Sequence, residues 1–226
     1  MSRPEKSRPE PRAGQSPNSQ KETSNIWAAV LAAGKSQRFG APKVLQSFLG
    51  IPFLTRIREN LQRAGIEEML LILGYRAQRL MQELPDKGSF KIIINPHFEL
   101  GMFSSVQAAV SALPESTPAL LLCLIDQPHI RAETYRRLLQ AAQSSDAAII
   151  SPVFRGKGGH PIVLPRALFP DILNASSEAT LRQVVQQSAL PLRRIDVHDP
   201  GILQDIDTRQ QLKALEDQYR KQNDDK

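Results

Sequence analysis

Positions 31–43 read Leu-Ala-Ala-Gly-Lys-Ser-Gln-Arg-Phe-Gly-Ala-Pro-Lys, a stretch rich in small residues and cations. Leu31, Ala32, Ala33 and Gly34 let backbone N–H groups approach an anion, as nest-type sites require. Arg38 adds a planar fork of donors, Lys43 a point charge nine residues past Gly34, and Ser36 a hydroxyl between them. Gly34-Lys35-Ser36 matches the end of the P-loop pattern, but that pattern needs a glycine where Ala29 stands, and no G-x-G-x-x-G occurs. On spacing alone the stretch is either a phosphate cradle or a glycine-containing turn with solvated cations. The second candidate is Asp126, which follows seven apolar residues at 119–125 and opens Asp-Gln-Pro. A carboxylate at the end of a buried strand needs a cation or several N–H donors, so Asp126 reads as a cation ligand or a loop cap. Cys123 is the single cysteine and lies inside that apolar run, where it reads as a small buried hydrophobe. His97, His129 and His198 do not converge with cysteines at ligand spacing, which argues against a zinc site.

Such residues act only if the chain brings them together. Short apolar runs at 26–33, 69–73, 91–94, 119–125 and 147–151 predict strands, several of them apolar on both faces, as in a buried parallel sheet. Pro52 suits a first helical position with Gly65 as the stop, and apolar spacing predicts helices over 104–113 and 132–142. Strand and helix in alternation predict an α/β fold: a single Rossmann-like, doubly wound, mostly parallel sheet with helices on both faces. Ligands of such sheets lie beyond the carboxyl ends of the strands, where strand order reverses. Residues 1–24 have little to bury and predict a disordered tail, residues 25–217 the folded domain, and residues 218–226 a frayed end.

Composition narrows the partners. The 29 basic and 23 acidic residues give +6, but five basic and three acidic side chains fall in the first 25 residues. The remaining excess is spread rather than striped, with no interleaved aromatics to stack bases, which argues against a polynucleotide partner. The longest apolar run is far short of the about 20 residues that span a bilayer. The first 25 residues also lack the hydrophobic stretch of a secretory signal, so the cytoplasm is the expected compartment and no membrane partner is expected.

The motif L-A-A-G-x-S-x-R-F-G-x-x-K resembles the signature of the nucleotidyltransferases that include molybdenum-cofactor cytidylyl- and guanylyltransferases. Further matches follow in order. Asn95-Pro96-His97-Phe98-Glu99-Leu100-Gly101-Met102-Phe103-Ser104-Ser105 resembles the family's N-x-x-[FW]-x-x-G-M-x-S-S element, and Asp126-Gln127-Pro128 its metal-binding aspartate. Gly159-His160-Pro161 and Asp205-Ile206-Asp207-Thr208 resemble its later elements.

The resemblance implies attack by an acceptor phosphate on the α-phosphorus of a nucleoside triphosphate, with pyrophosphate leaving. It implies catalytic roles for Arg38, Lys43 and Asp126, and nucleotide contacts from 31–34, Ser36, Arg38, Lys43, Ser104 and Ser105. Mg2+ would be held by Asp126 and Asp207, with a cap of the following helix as the competing role for Asp207 or Thr208. His160 and Arg182 are implied on the acceptor side, with His160 on an exposed turn. Alanine at position 33 resembles the cytidylyl-transferring branch, which implies CTP, and the acceptor implied is molybdopterin, with a transient contact to a molybdenum enzyme. One region departs from the pattern: the Gly-Asp-x-Gly-Ala-Arg-like stretch of the cytidylyltransferases reads Ser176-Ser177-Glu178-Ala179-Thr180-Leu181-Arg182. Transfer to another acceptor such as a sugar 1-phosphate, or non-catalytic cofactor delivery, are the competing readings.

Overall fold

The structure, a computed structural model, describes residues 25–84, 87–144, 147–176 and 178–224. The predicted tail at 1–24 lies outside them. Among the described residues the strands are β1 Trp27–Leu31, β2 Ser47–Phe48, β3 Ile51–Pro52, β4 Met69–Leu73, β5 Lys91–Ile94, β6 Ala119–Leu124, β7 Ile149–Phe154, β8 Lys157–Gly158, β9 Ile162–Pro165 and β10 Leu192–Asp196. The helices are α1 Phe53–Arg63, α2 Ala77–Glu83, α3 Met102–Ser111, α4 Ala132–Gln143, α5 Phe169–Asn174, α6 Leu181–Gln187 and α7 Arg209–Asp224. The main sheet runs β10-β7-β9-β6-β1-β4-β5, with β8 hairpinned onto β7.

Most neighbours are parallel, and β9 lies antiparallel to both β6 and β7. The central strands are apolar throughout because each face has its own core. Ala28 and Val30 of β1 pack with α1, α2, α4 and Leu215 of α7 on one face, while Trp27, Ala29 and Leu31 pack with α3, α5 and α6 on the other. The same alternation splits Leu121 from Leu120 and Leu122 in β6. The expectation of a Rossmann-like, mostly parallel sheet therefore holds.

From β1 the chain moves through β4 to β5, then crosses back to place β6 on the opposite side of β1. The reversal lies between β1 and β6, so the loops that follow these two strands face one crevice.

Several boundaries shift. Pro52 is the residue before α1 rather than its first, and β7 starts at Ile149 because Ala147 takes a positive φ of 50°. β9 is short and bounded by prolines, and β10 reads Leu-Arg-Arg-Ile-Asp with mostly exposed side chains, so neither stood out as an apolar run. Within the stretch expected to fray from residue 218, α7 runs to Asp224, and the Tyr219 ring meets Phe48 edge-on at 5.2 Å.

Candidate active site

The loop after β1 is shaped by a few residues. Ser36 takes a left-handed φ of 50° and its carbonyl accepts from the N–H groups of Phe39 and Gly40. Phe39 and Val44 are each 2% exposed and pin the loop to the core. Pro42 then leads into a short 3-10 turn starting at Lys43, whose backbone N–H donates to Ser36 Oγ at 3.3 Å. A Cβ on Gly34 would meet no protein atom within 4 Å, so its small size serves no internal packing and leaves the cleft open.

Lys43 is buried, and its ammonium lies between two carboxylates. Nζ donates to Asp126 Oδ2 at 3.0 Å and to Asp207 Oδ1 at 2.7 Å. Arg38, itself exposed, reaches the second oxygen of Asp207 at 2.9 Å. Asp126 stands just past β6. Its carbonyl accepts from the N–H of Ile206, which is 1% exposed, and this anchor delivers Asp207 to the cleft. Thr208 rather than Asp207 caps α7: its Oγ1 accepts from Gln211 N–H, while Gln211 Oε1 accepts from the N–H groups of Asp207 and Thr208. The Asp207 carboxylate is thereby left to face Lys43 and Arg38.

The two carboxyls differ electrostatically. Burial pushes Asp126 above the usual carboxylate range, against the pull of Lys43. The hydrogen bond from Lys43, then the Lys43 and Arg38 charges, hold Asp207 below it despite some burial. Asp126 Oδ1 is buried and has no hydrogen-bond partner. Among the described residues no group of three or more His, Cys, Asp or Glu side chains converges, so any cation here would take two carboxylates and complete its shell from water or phosphate.

These residues line one cleft of about 410 Å³, together with 31–34, Ser36, Tyr75, Phe98, Gly101, Met102 and Ser105. Other predicted residues fall elsewhere. Ser104 is buried and its Oγ donates to the carbonyls of His97 and Gly101 while accepting from Asn95 Nδ2, so its hydroxyl is committed to the fold. Asn95 Nδ2 also donates to Ser105 Oγ at 3.1 Å, which sets that side chain in the cleft wall. His160 is half-buried rather than on an exposed turn; its Nδ1 has no partner, burial lowers its pKa, and it does not line the cleft. Arg182 is exposed on α6 and is not part of the cleft either. Cys123 is buried, and burial pushes its thiol far up, as its place in an apolar run implies.

Sequence reasoning missed an aromatic wall. Tyr75 and Phe98 meet at 6.2 Å, and Lys35 lies 5.8 Å from the Phe98 ring centroid while pairing with Glu99 at 2.7 Å. The available signal was Gly74: a Cβ there would sit 2.5 Å from Phe98 Cβ and 2.8 Å from Ala33 O. Only glycine permits that approach of the wall to the loop.

A family model for the MobA-like NTP transferase domain matches residues 28–192. Nicotine blue oxidoreductase of Paenarthrobacter nicotinovorans is 27% identical over 198 residues, covering 84% of this chain and 96% of its own. Molybdenum cofactor cytidylyltransferase of Escherichia coli K12 is 26% identical over 197 residues, covering 87% and 98%. The crystal structure of Rv0371c from Mycobacterium tuberculosis H37Rv in complex with manganese is similar with a TM-score of 0.68 at 22% identity, covering 85% of this chain and 98% of that one. With the doubly wound sheet, the crevice at its strand reversal and a family match across both, the chain belongs to the MobA-like NTP transferase family.

Proposed function

We propose that the protein transfers a nucleoside monophosphate from a triphosphate, CTP in the first instance, to a phosphate of molybdopterin, releasing pyrophosphate. The observation that carries this reading is the convergence of Lys43, Arg38, Asp126 and Asp207 in one cleft at the sheet's reversal point. A cofactor carrier needs no such pairing of carboxylates with cations. The acceptor phosphate oxygen forms the new bond to the α-phosphorus as the bond to pyrophosphate breaks. Such a reaction needs positioning and charge stabilisation more than covalent help.

The backbone at 31–34 receives the nucleotide, with Ser105 on the opposite wall. Lys43 and Arg38 meet the triphosphate oxygens and the charge that grows on the leaving pyrophosphate. Asp126 and Asp207 suit a divalent cation, magnesium by expectation, since Asp126 Oδ1 is buried without a partner. Such a cation supplies positive charge against the phosphate oxygens when bound, and the manganese complex of Rv0371c supports a divalent cation. His160, close enough to feel Asp126 and Asp205, belongs to the acceptor side of those carboxylates. The cytidylyltransferase of E. coli supports CTP and molybdopterin as substrates. A soluble cytoplasmic protein is in keeping with this role, and no helix among the described residues is long and apolar enough to cross a membrane.

The oxidoreductase relative is similar to the same degree, which makes a redox reaction the second reading. One experiment separates these readings: pyrophosphate release from each of the four triphosphates, with and without molybdopterin, run beside oxidation of reduced nicotinamide dinucleotides. Release with CTP and molybdopterin is expected. Dinucleotide oxidation without any release would move the protein to the oxidoreductase side, and neither activity would favour cofactor delivery.

A further inference from the structure

Cations of the chain itself engage the carboxylates of the cleft. Three of their four oxygens are engaged: Asp126 Oδ2 and Asp207 Oδ1 by Lys43, and Asp207 Oδ2 by Arg38. One ammonium and one guanidinium are thus paired with the two carboxylates, so a bare divalent cation meets oxygens that already have cationic partners. The ammonium is also close to both carboxylates. A second cation there would be repelled at short range unless the lysine withdrew.

Lys43 is built for such a movement. Its backbone is held by Ser36 Oγ, by the Pro42 turn and by the neighbouring buried Val44. The head therefore moves on a flexible four-carbon stem from a fixed point. The same ammonium lines the cleft beside the 31–34 backbone, so triphosphate oxygens offer it a new partner within the site.

We propose that Lys43 is a place-holder cation: it occupies Asp126 and Asp207 until a nucleotide draws it away, so metal and nucleotide bind as a pair and metal alone binds weakly. This rests on the reading of the cleft as a triphosphate site. The role differs from a merely structural ion pair, because removing a structural partner weakens the protein without improving its affinity for metal.

The probe is Mn2+ alone, titrated against wild type, Lys43→Met, Lys43→Arg and the double variant Lys43→Met/Asp126→Asn, with free ion read by electron paramagnetic resonance. Lys43→Met is expected to bind Mn2+ about tenfold tighter than wild type or more, because the competing charge is gone. Lys43→Arg should stay near wild type, and the double variant should lose the gain. Adding a non-hydrolysable CTP analogue should tighten Mn2+ binding more in wild type than in Lys43→Met, since only wild type has a lysine to displace. Where Lys43→Met is marginally folded, the same comparison is read as the rise in Tm on adding Mn2+, larger in the variant. Mn2+ affinity in wild type equal to or above that of Lys43→Met overturns the place-holder role alone. An analogue that leaves Mn2+ binding unchanged in both proteins overturns the triphosphate reading of the cleft, and with it the pairing.

Discussion

Asp126 and Asn95 are both polar residues at strand ends, and they have opposite duties. Asp126 is pushed toward its neutral form by burial and keeps one oxygen without a partner, so the fold gains little from its charge. Asp126→Asn is therefore expected to leave Tm within a few degrees of wild type while lowering pyrophosphate release about 10²-fold or more. Activity near wild type with both substrates saturating would remove Asp126 from the site. Asn95 is 2% exposed; it donates to Ser104 and Ser105 and accepts from His97 N–H. Asn95→Leu should cost about 1–3 kcal/mol for each group left without a partner, measured as a lower urea midpoint. An unchanged midpoint would show that these groups find other partners. Lys43 and Asp126 were legible in the sequence because each is a charge set directly against apolar or small residues. Both Ser104 and Ser105 are buried, and spacing cannot tell which of two adjacent hydroxyls faces the cleft and which is committed to the fold. Tyr75 lies in a turn and Phe98 in a three-residue 3-10 turn, too short for any periodicity to mark a contact made only in three dimensions.

The connection between β8 and β9 lies against the 3-10 turn Pro200–Leu203 at a distance that admits no side chain. A Cβ on Gly159 would fall 1.9 Å from Ile202 O, a backbone atom that cannot swing away. Gly159→Ala should destabilise by about 1–3 kcal/mol, visible as a lower urea midpoint, and should disturb the His160 N–H bond to the same carbonyl. A midpoint at the wild-type value would mean that the turn yields freely. The central strands were legible because burial on both faces makes them uniformly apolar. β10 was not, since an edge strand can keep Arg193 and Arg194 in solvent. The end of α7 was hidden in a polar stretch whose hold on the fold includes one aromatic, Tyr219.

Across the whole molecule, stability should fall on acidification through a residue outside the cleft. His129 is 3% exposed, and burial lowers its pKa to about 4 from 6.5, against the raising influence of Asp199. Between those values the unfolded chain holds a proton that the native state does not, so stability declines as pH drops from about 6.5 toward 4, by up to about 3 kcal/mol. Below that window both states are protonated and the effect is complete. Urea unfolding near pH 7 and near pH 4.5 should show the decline in wild type and a smaller one in His129→Phe. Equal declines would assign the effect elsewhere, His160 being the next group displaced in the same direction.

The cleft draws on distant parts of the chain, with 164 positions between Lys43 and Asp207. During synthesis, Lys43 and Asp126 leave the ribosome long before Asp207, which follows the last strand of the sheet. A nascent copy thus holds only one of the two carboxylates while most of its sheet is already available to fold. The complete cleft waits for the segment ending in α7, and a half-made copy has Lys43 and Asp126 without their third partner.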